Sequence, residues 1–565
     1  MSRTFGKLRH GIDGKGRAWW VVENLEPHVS IRLKAIFPRL PKARIGRFLL
    51  PDTPDTAADL AWFIKRYPLA SDSVCRGFLE AREHGFYQSQ RQVEAILSPD
   101  YRPGNYHLKP GQVLRHYQAQ AVEVLRLKGH LLLGDEVGLG KTFAALGACL
   151  QPDALPALVV CQAHLPRQWA AMAEEFTYLT THLIKGTRPY PLPPADVFIT
   201  TYHRLVGWVE TLAGKIRTII FDEAQELRTG LKANKGQAAQ ILADHAAYSI
   251  GLTATPIYNY GLEIWNVLDI IKRGCLGDSE SFLREWAEGP WDKATIREPN
   301  ALGTYLRETQ HFLRRTRVDV KQELPPVSIT TQLIPYDQKE AQKAEDLAVA
   351  LSLRTLNGSY VEQGQAAREL DLMLRHATGL AKADGVAEYV EMILDAGEPV
   401  VLVGWHRDVY SRWNERLYRH RPVFYTGTET PAQKEKSKKA FMDGETNLMF
   451  LSLRSGIGLN GLQYRGSVVV FGELDWSPQV HHQVIGRLNR EGQSKPVLAA
   501  YLWTDFGSDP PMMDLLGLKA SQSQAIVDPH LGVQQVHADE TRIKEMARRF
   551  LESRGMTYLI KDRAA

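Results

Sequence analysis

Eight residues constrain this chain more than any others: Asp135-Glu136-Val137-Gly138-Leu139-Gly140-Lys141-Thr142. They follow an apolar run, His130 to Gly134, and precede a helix-like run, Phe143 to Leu150. Strand, glycine loop and helix are the context of a phosphate-binding loop. In that setting backbone N–H groups of the loop and helix N-terminus face the phosphates. Glycines let the main chain approach without a Cβ clash. Lys141 is then expected at the β- and γ-phosphates of ATP and Thr142 on Mg²⁺. Asp135, Gly138 and Gly140 belong to the same expected nucleotide-binding set. One position departs from the strict pattern, which has glycine where Asp135 stands. The plainer reading is a glycine turn ahead of a core helix.

A second apolar run, Thr218-Ile-Ile-Phe221, leads directly into Asp222-Glu223-Ala224-Gln225. A strand ending in paired carboxylates suits the metal side of a nucleotide-hydrolysing site. Asp222 is expected to bind Mg²⁺, and Glu223 to orient and deprotonate the attacking water. The alternative is a solvated helix start, where acidic residues are favoured. Upstream, Leu114-Arg-His-Tyr-Gln118 offers an amide that can pair with both edges of adenine. Gly251-Leu-Thr-Ala-Thr-Pro256 ends another strand, so Thr253 and Thr255 are placed to couple the carboxylates to movement. Further on, Gln483-Val-Ile-Gly-Arg487-Leu-Asn-Arg490 puts two arginines three apart, read as one helical face. Such a pair can neutralise charge on a transferring γ-phosphate, and Gln483 is a candidate nucleotide contact. A surface cation pair is the plain alternative.

Apolar runs alternate with helix-like stretches from Leu114 onward. Strands are expected at Leu131–Leu133, Ala157–Cys161, Val197–Thr200, Thr218–Phe221 and Tyr248–Leu252. A second set is expected at Val400–Val403, Pro422–Tyr425, Leu448–Leu453, Ser467–Phe471 and Val497–Trp503. Two such sets imply two parallel α/β lobes with mainly helical chain between them. In the first hundred residues, Trp19–Val22 and Val29–Phe37 read as strands and Ala57–Tyr67 as a helix. Trp19, Trp20, Trp62 and Phe63, near Arg17, Arg32, Lys34, Arg44 and Arg66, form either a stacking surface for nucleic acid or, the favoured reading, the core of a small β-rich module. Near the other end, Ile543, Met546, Phe550 and Leu551 share a helical face opposite Arg542, Lys544, Arg548 and Arg549, read as a terminal helix docked on the core rather than a nucleic-acid contact.

Composition narrows the class. The chain has 565 residues, 44% of them hydrophobic and 24% charged, which is ordinary for globular domains. A net charge of +5 is compatible with nucleic acid without arguing for it. Cys75, Cys149, Cys161 and Cys275 lack ligand spacing, so no zinc or disulfide framework is expected and a reducing, cytoplasmic setting fits. The first residues, MSRTFGKLRHGIDGKGR, lack the apolar segment of a secretory leader. No run of about 18 apolar residues predicts a membrane span.

Taken in order, these segments resemble the Swi/Snf branch of superfamily two helicase-like ATPases. The loop DEVGLGKT, the stretch LTATPIYN, Phe312-Leu-Arg-Arg-Thr-Arg-Val-Asp-Val320 with Leu324-Pro325, Ser455-Gly-Ile-Gly-Leu-Asn460 and the closing Arg-x-x-Arg-x-Gly-Gln carry the likeness. Phe471-Gly-Glu-Leu-Asp-Trp-Ser-Pro478 and Thr378-Gly-Leu-Ala-Lys382 look closest to the HARP-type annealing helicases. The likeness spans about Leu114 to Trp503. Gln225 stands where the branch usually has His, Gln162 where it has Pro, and Asn489 where it often has His. The resemblance implies an α/β fold of two RecA-like parallel-sheet lobes with a helical insertion, plus a small β-rich N-terminal module. The expected domains are 1–105 (accessory), 106–260 (first lobe), 261–398 (helical insertion and linker), 399–530 (second lobe) and 531–565 (helical tail). It further implies an ATP- and Mg²⁺-using motor that moves on or remodels duplex or junction DNA, acting as a monomer on DNA. Lys141, Asp222, Glu223, Arg487 and Arg490 would be catalytic. Ala163–Arg167, Thr200–Tyr202 and Ser452–Gly456, at strand ends, would grip phosphates. A strand-separating DNA or RNA helicase and a nucleotide-gated clamp remain alternatives. No strand-splitting hairpin is evident, and a clamp has no need of Glu223, Arg487 and Arg490.

Overall fold

The computed structural model describes residues 3–12, 14, 18–254, 261–289, 294–320, 324–357, 360–453, 459–514, 516 and 539–560. Among them the chain forms two compact units. One holds the described residues up to Asp135 and from Gly140 to Arg315; the other holds Glu136–Leu139 and the described residues from Thr316 onward.

The first unit begins with an antiparallel sheet of β1 (Lys7–Ile12), β2 (Ala18–Glu23) and β3 (Arg47–Pro51). Three helices, Pro27–Ile36, Pro54–Arg66 and Ser73–Leu97, accompany it. The stretch read as a strand over Val29–Phe37 is therefore helical. Its β-branched residues suggest a strand, but Pro27 opens a helix and the buried side chains are Val29 and Leu33, four apart. Trp20 and Phe63 are fully buried with Phe48, as the core reading requires, whereas Trp62 is 59% exposed. Arg17 lies outside the described residues.

A parallel sheet forms the body of this unit. Its strands are β4 (His130–Leu133), β5 (Ala157–Cys161), β6 (Thr181–Leu183), β7 (Val197–Thr201), β8 (Thr218–Asp222) and β9 (Tyr248–Leu252). A short hairpin, β10 (Ala287–Glu288) with β11 (Thr295–Ile296), stands apart. The seventh sheet member is β12 (Phe312–Leu313), and the order is β12-β4-β9-β8-β5-β7-β6. The strands β4, β5 and β7 are buried at every position, which is why they read as unbroken apolar runs. Each such Leu, Ile or Phe contributes about 1.5–3 kcal/mol on leaving water. The N-terminal module is part of this same body. Arg39 pairs with Glu285 at 3.2 Å, Arg284 Nε donates to the Arg39 carbonyl at 2.8 Å, and Tyr305 donates to Asp55 at 3.2 Å.

The second unit is built on a parallel sheet ordered β13 (Val327–Leu333), β18 (Val497–Trp503), β17 (Val468–Phe471), β14 (Val400–Gly404), β16 (Leu448–Ser452), β15 (Val423–Tyr425). Its faces bury separate apolar clusters, one around Trp413 and Phe450, the other around Phe441, Met449 and Phe471. The helices Glu345–Asn357 and Tyr360–Ala381 receive the terminal helix Asp539–Ser553 through Met546, Ala547 and Phe550. That is the docking its apolar face implies. Among the described residues no helix is long and apolar enough to cross a membrane.

Candidate nucleotide site

Parallel strands deliver the chemistry to one edge of the first sheet. The order β4-β9-β8 leaves one strand between the phosphate-loop strand and the carboxylate strand. Thr253, after β9, donates its backbone N–H to the Leu133 carbonyl at 3.1 Å. With Asp222 of β8 paired to Leu252 of β9, the ends of all three strands are held together, where ligands of such sheets sit.

The loop is tied down from behind. A Cβ on Gly134 would run into the Phe312 ring of β12, so glycine is required there. Asp135 is buried, and its carboxylate accepts from Arg315 N at 3.0 Å, Arg315 Nε at 2.9 Å and also from Nη2. Arg315 in turn donates to the Tyr117 carbonyl. Asp135 therefore anchors the loop to the stretch after β12. The part of it that meets the loop lysine is the backbone: Lys141 Nζ donates to Asp135 O at 2.6 Å. Gly140 has φ +71°, and a Cβ there would sit 2.6 Å from Gln118 Nε2. Gln118 bridges the helix start and the loop, accepting from Arg115 N at 3.0 Å and donating to Gly140 O at 3.4 Å. Thr142 lies half-buried in the first turn of the helix Lys141–Ala148. Loss of hydration pushes the Lys141 ammonium down to about 8, against the pull of Asp135, Glu223 and Asp222.

At the end of β8, Asp222 is held by several partners. Trp169 Nε1 donates to its Oδ2 at 2.8 Å, Glu223 N to its Oδ1 at 3.1 Å, and Tyr202 OH to its backbone carbonyl at 2.8 Å. Burial and the neighbouring Glu223 push its carboxyl up to about 6, while the Trp169 bond opposes that rise. Glu223 adopts φ +51°, a left-handed backbone unusual for a side chain of this kind. Gln225 Nε2 donates to Glu223 Oε2 at 2.5 Å. The residue that replaces the usual His thus holds the second carboxylate in place. Gln162, 64 positions earlier in the chain, donates to Glu226 at 3.4 Å.

In the second unit the helix Pro478–Leu488 ends with Asn489 as its cap. Arg487 is on the helix but Arg490 is beyond it, so the two do not share a regular helical face. Arg490 instead folds back, Nε to Gly486 O at 3.1 Å and Nη1 to Asn460 Oδ1 at 2.5 Å. Burial, Arg487 and Arg317 push its guanidinium down to about 9. Arginine keeps its proton, so Arg490 is a buried cation beside two others. Arg317 donates to Asn489 Oδ1 at 3.1 Å, Asn489 O at 2.9 Å and Val137 O at 2.8 Å, and its N–H meets Glu136 at 2.8 Å. Asn489, where His is often found, is the receptor for that arginine. Gln483 is buried on the same helix. Thr255, Pro256, Asn259 and 454–458 lie outside the described residues.

Sequence reasoning missed Trp169, and it names Arg315 only within the Phe312–Val320 likeness without a role, because its partner is 180 positions away.

Residues 60–377, more than half of the chain, match the family model described as the SNF2-related domain. A Drosophila melanogaster protein, SWI/SNF-related matrix-associated actin-dependent regulator of chromatin subfamily A-like protein 1, is 26% identical over 409 residues, covering 69% of this chain and 52% of that protein. Human DNA annealing helicase and endonuclease ZRANB3 is 25% identical over 430 residues, covering 70% of this chain and 38% of its own length. Uncharacterized ATP-dependent helicase YqhH of Bacillus subtilis is 24% identical, covering 72% and 77%. The chain spans about half or less of the length of the first of these relatives. Among solved structures, the Sulfolobus solfataricus SWI2/SNF2 ATPase core in complex with dsDNA aligns over 82% of this chain and 99% of that one, with 18% identity and a TM-score of 0.36. The extent of the family match decides the assignment: this chain belongs to the SNF2-related family.

Proposed function

We propose that this chain is an ATP-driven DNA motor, a translocase that moves on or remodels duplex or junction DNA as a monomer. One observation carries the reading. A lysine-bearing phosphate loop and an Asp-Glu pair leave strands on either side of β9, with Asp222 already oriented by three bonds. The names of relatives, a DNA annealing helicase among them, support DNA as the track.

In this reading Lys141 neutralises the β- and γ-phosphates, and loop N–H groups carry the remaining charge. Asp222 and Thr142 offer hard oxygen donors, which suits a cation taking its other ligands from phosphates and water. Bound Mg²⁺ would supply charge neutralisation of the phosphates. Glu223, steadied by Gln225, takes the proton of the attacking water. For Arg487 and Arg490 the spacing in the sequence supports a charge-neutralising role in phosphoryl transfer.

Lys141→Ala tests the site. Turnover should disappear and ATP affinity fall, because the main charge partner of the γ-phosphate is gone. Near-normal ATP hydrolysis in that variant would overturn the reading.

A further inference from the structure

The side chain that fixes the Asp222 carboxylate comes from outside both sequence motifs. Trp169 sits in the helix Pro166–Phe176, which buries Trp169, Ala173 and Phe176 on one face. The residue is 3% exposed, so packing fixes the direction of its ring. An indole has one donor and no acceptor, and this one is aimed at Asp222 Oδ2 at 2.8 Å. Glu223 N occupies the other carboxylate oxygen at 3.1 Å, and Tyr202 pins the backbone carbonyl. The plane of the carboxylate is therefore set before any ligand arrives.

We propose that Trp169 is a positioning residue for the motor's metal side: its indole N–H fixes the orientation in which Asp222 meets nucleotide-bound Mg²⁺. The inference rests on the reading of Asp222 as the metal-side carboxylate. Outer-shell partners of this kind typically change metal affinity or activity by ~10–100-fold when removed. A buried indole that merely satisfies its N–H would affect stability and leave Mg²⁺ affinity untouched, so the two roles separate experimentally.

The test is binding of a fluorescent ATP analogue to the full chain, titrated with Mg²⁺. Trp169→Phe keeps an aromatic ring and removes the donor. The half-saturating Mg²⁺ concentration should rise by ~10–100-fold, with analogue affinity in the absence of Mg²⁺ unchanged. Equal Mg²⁺ dependence in the variant and the parent chain overturns the proposal. If Trp169→Phe fails to fold by circular dichroism, the benzothiophene isostere at position 169 keeps the shape with sulfur in place of N–H. The same shift is expected there, and its absence is equally fatal. A parent chain whose binding ignores Mg²⁺ would instead remove the metal reading itself, and the proposal with it.

Discussion

At Glu223 the backbone sits at φ +51°, while Gln225 grips one oxygen of the side chain. Strain of this kind persists where the surroundings over-determine a residue, commonly at functional sites. Glu223→Gln keeps the shape and removes the base. ATP binding should persist while turnover falls by ~10²–10⁴-fold, the usual contribution of general base catalysis; turnover equal to the parent chain in a steady-state assay would exclude Glu223 as the base. Lys141 makes a separate statement about pH. Its ordinary value is 10.5, and burial brings it to about 8. Between these values Lys141 starts uncharged, and in its proposed role it must gain a proton to meet phosphates. ATP affinity should therefore fall as pH rises through about 8, and binding there should take up a proton. Isothermal titration in buffers of different ionisation enthalpy reads that uptake directly; buffer-independent heats at pH 9 would contradict it.

Among the elements, the phosphate loop depends on β12, a strand of two residues. Asp135 and Arg315 are buried together, and removing one partner of such a pair leaves an uncompensated charge costing ~3–5 kcal/mol. Arg315→Met should lower the thermal unfolding midpoint markedly. Asp135→Gly, which restores the usual loop glycine, should lower it as well; a midpoint within a degree of the parent for both would refute the anchoring role. What was legible in the sequence follows from burial. Strands such as Ala157–Cys161 and Val400–Gly404, buried at every position, appear as unbroken apolar runs. By contrast β13 is exposed along six of its seven residues, and its polar run Thr330-Thr331-Gln332 breaks the apolar pattern that marks the buried strands. The helix Pro27–Ile36 was obscured by its own β-branched residues. The arginine spacing predicts a shared helical face, but the helix stops at Leu488, where Arg317 binds the cap Asn489 from far along the chain. The phosphate loop and the Asp-Glu pair were plain because their chemistry is local; the residues that hold them, Trp169 and Arg315, act over 53 and 180 positions.

For the whole molecule, the claim is that hydrolysis is coupled to a phosphate-lined track. In the proposed motor the strand-end segments Ala163–Arg167 and Thr200–Tyr202 grip phosphates, so contacts should be made mainly with the nucleic-acid backbone and tolerate sequence. Binding should then weaken steeply with salt, log K falling by ~0.9 per contacted phosphate per log unit for duplex DNA. Steady-state ATPase of the full chain, measured side by side with duplex DNA, a duplex–single-strand junction, single-stranded DNA, RNA and no nucleic acid, tests the account most directly. Duplex or junction DNA should stimulate turnover most, with stimulation fading as salt rises. Stimulation by RNA alone, or equal turnover in every arm, would contradict the DNA-motor assignment.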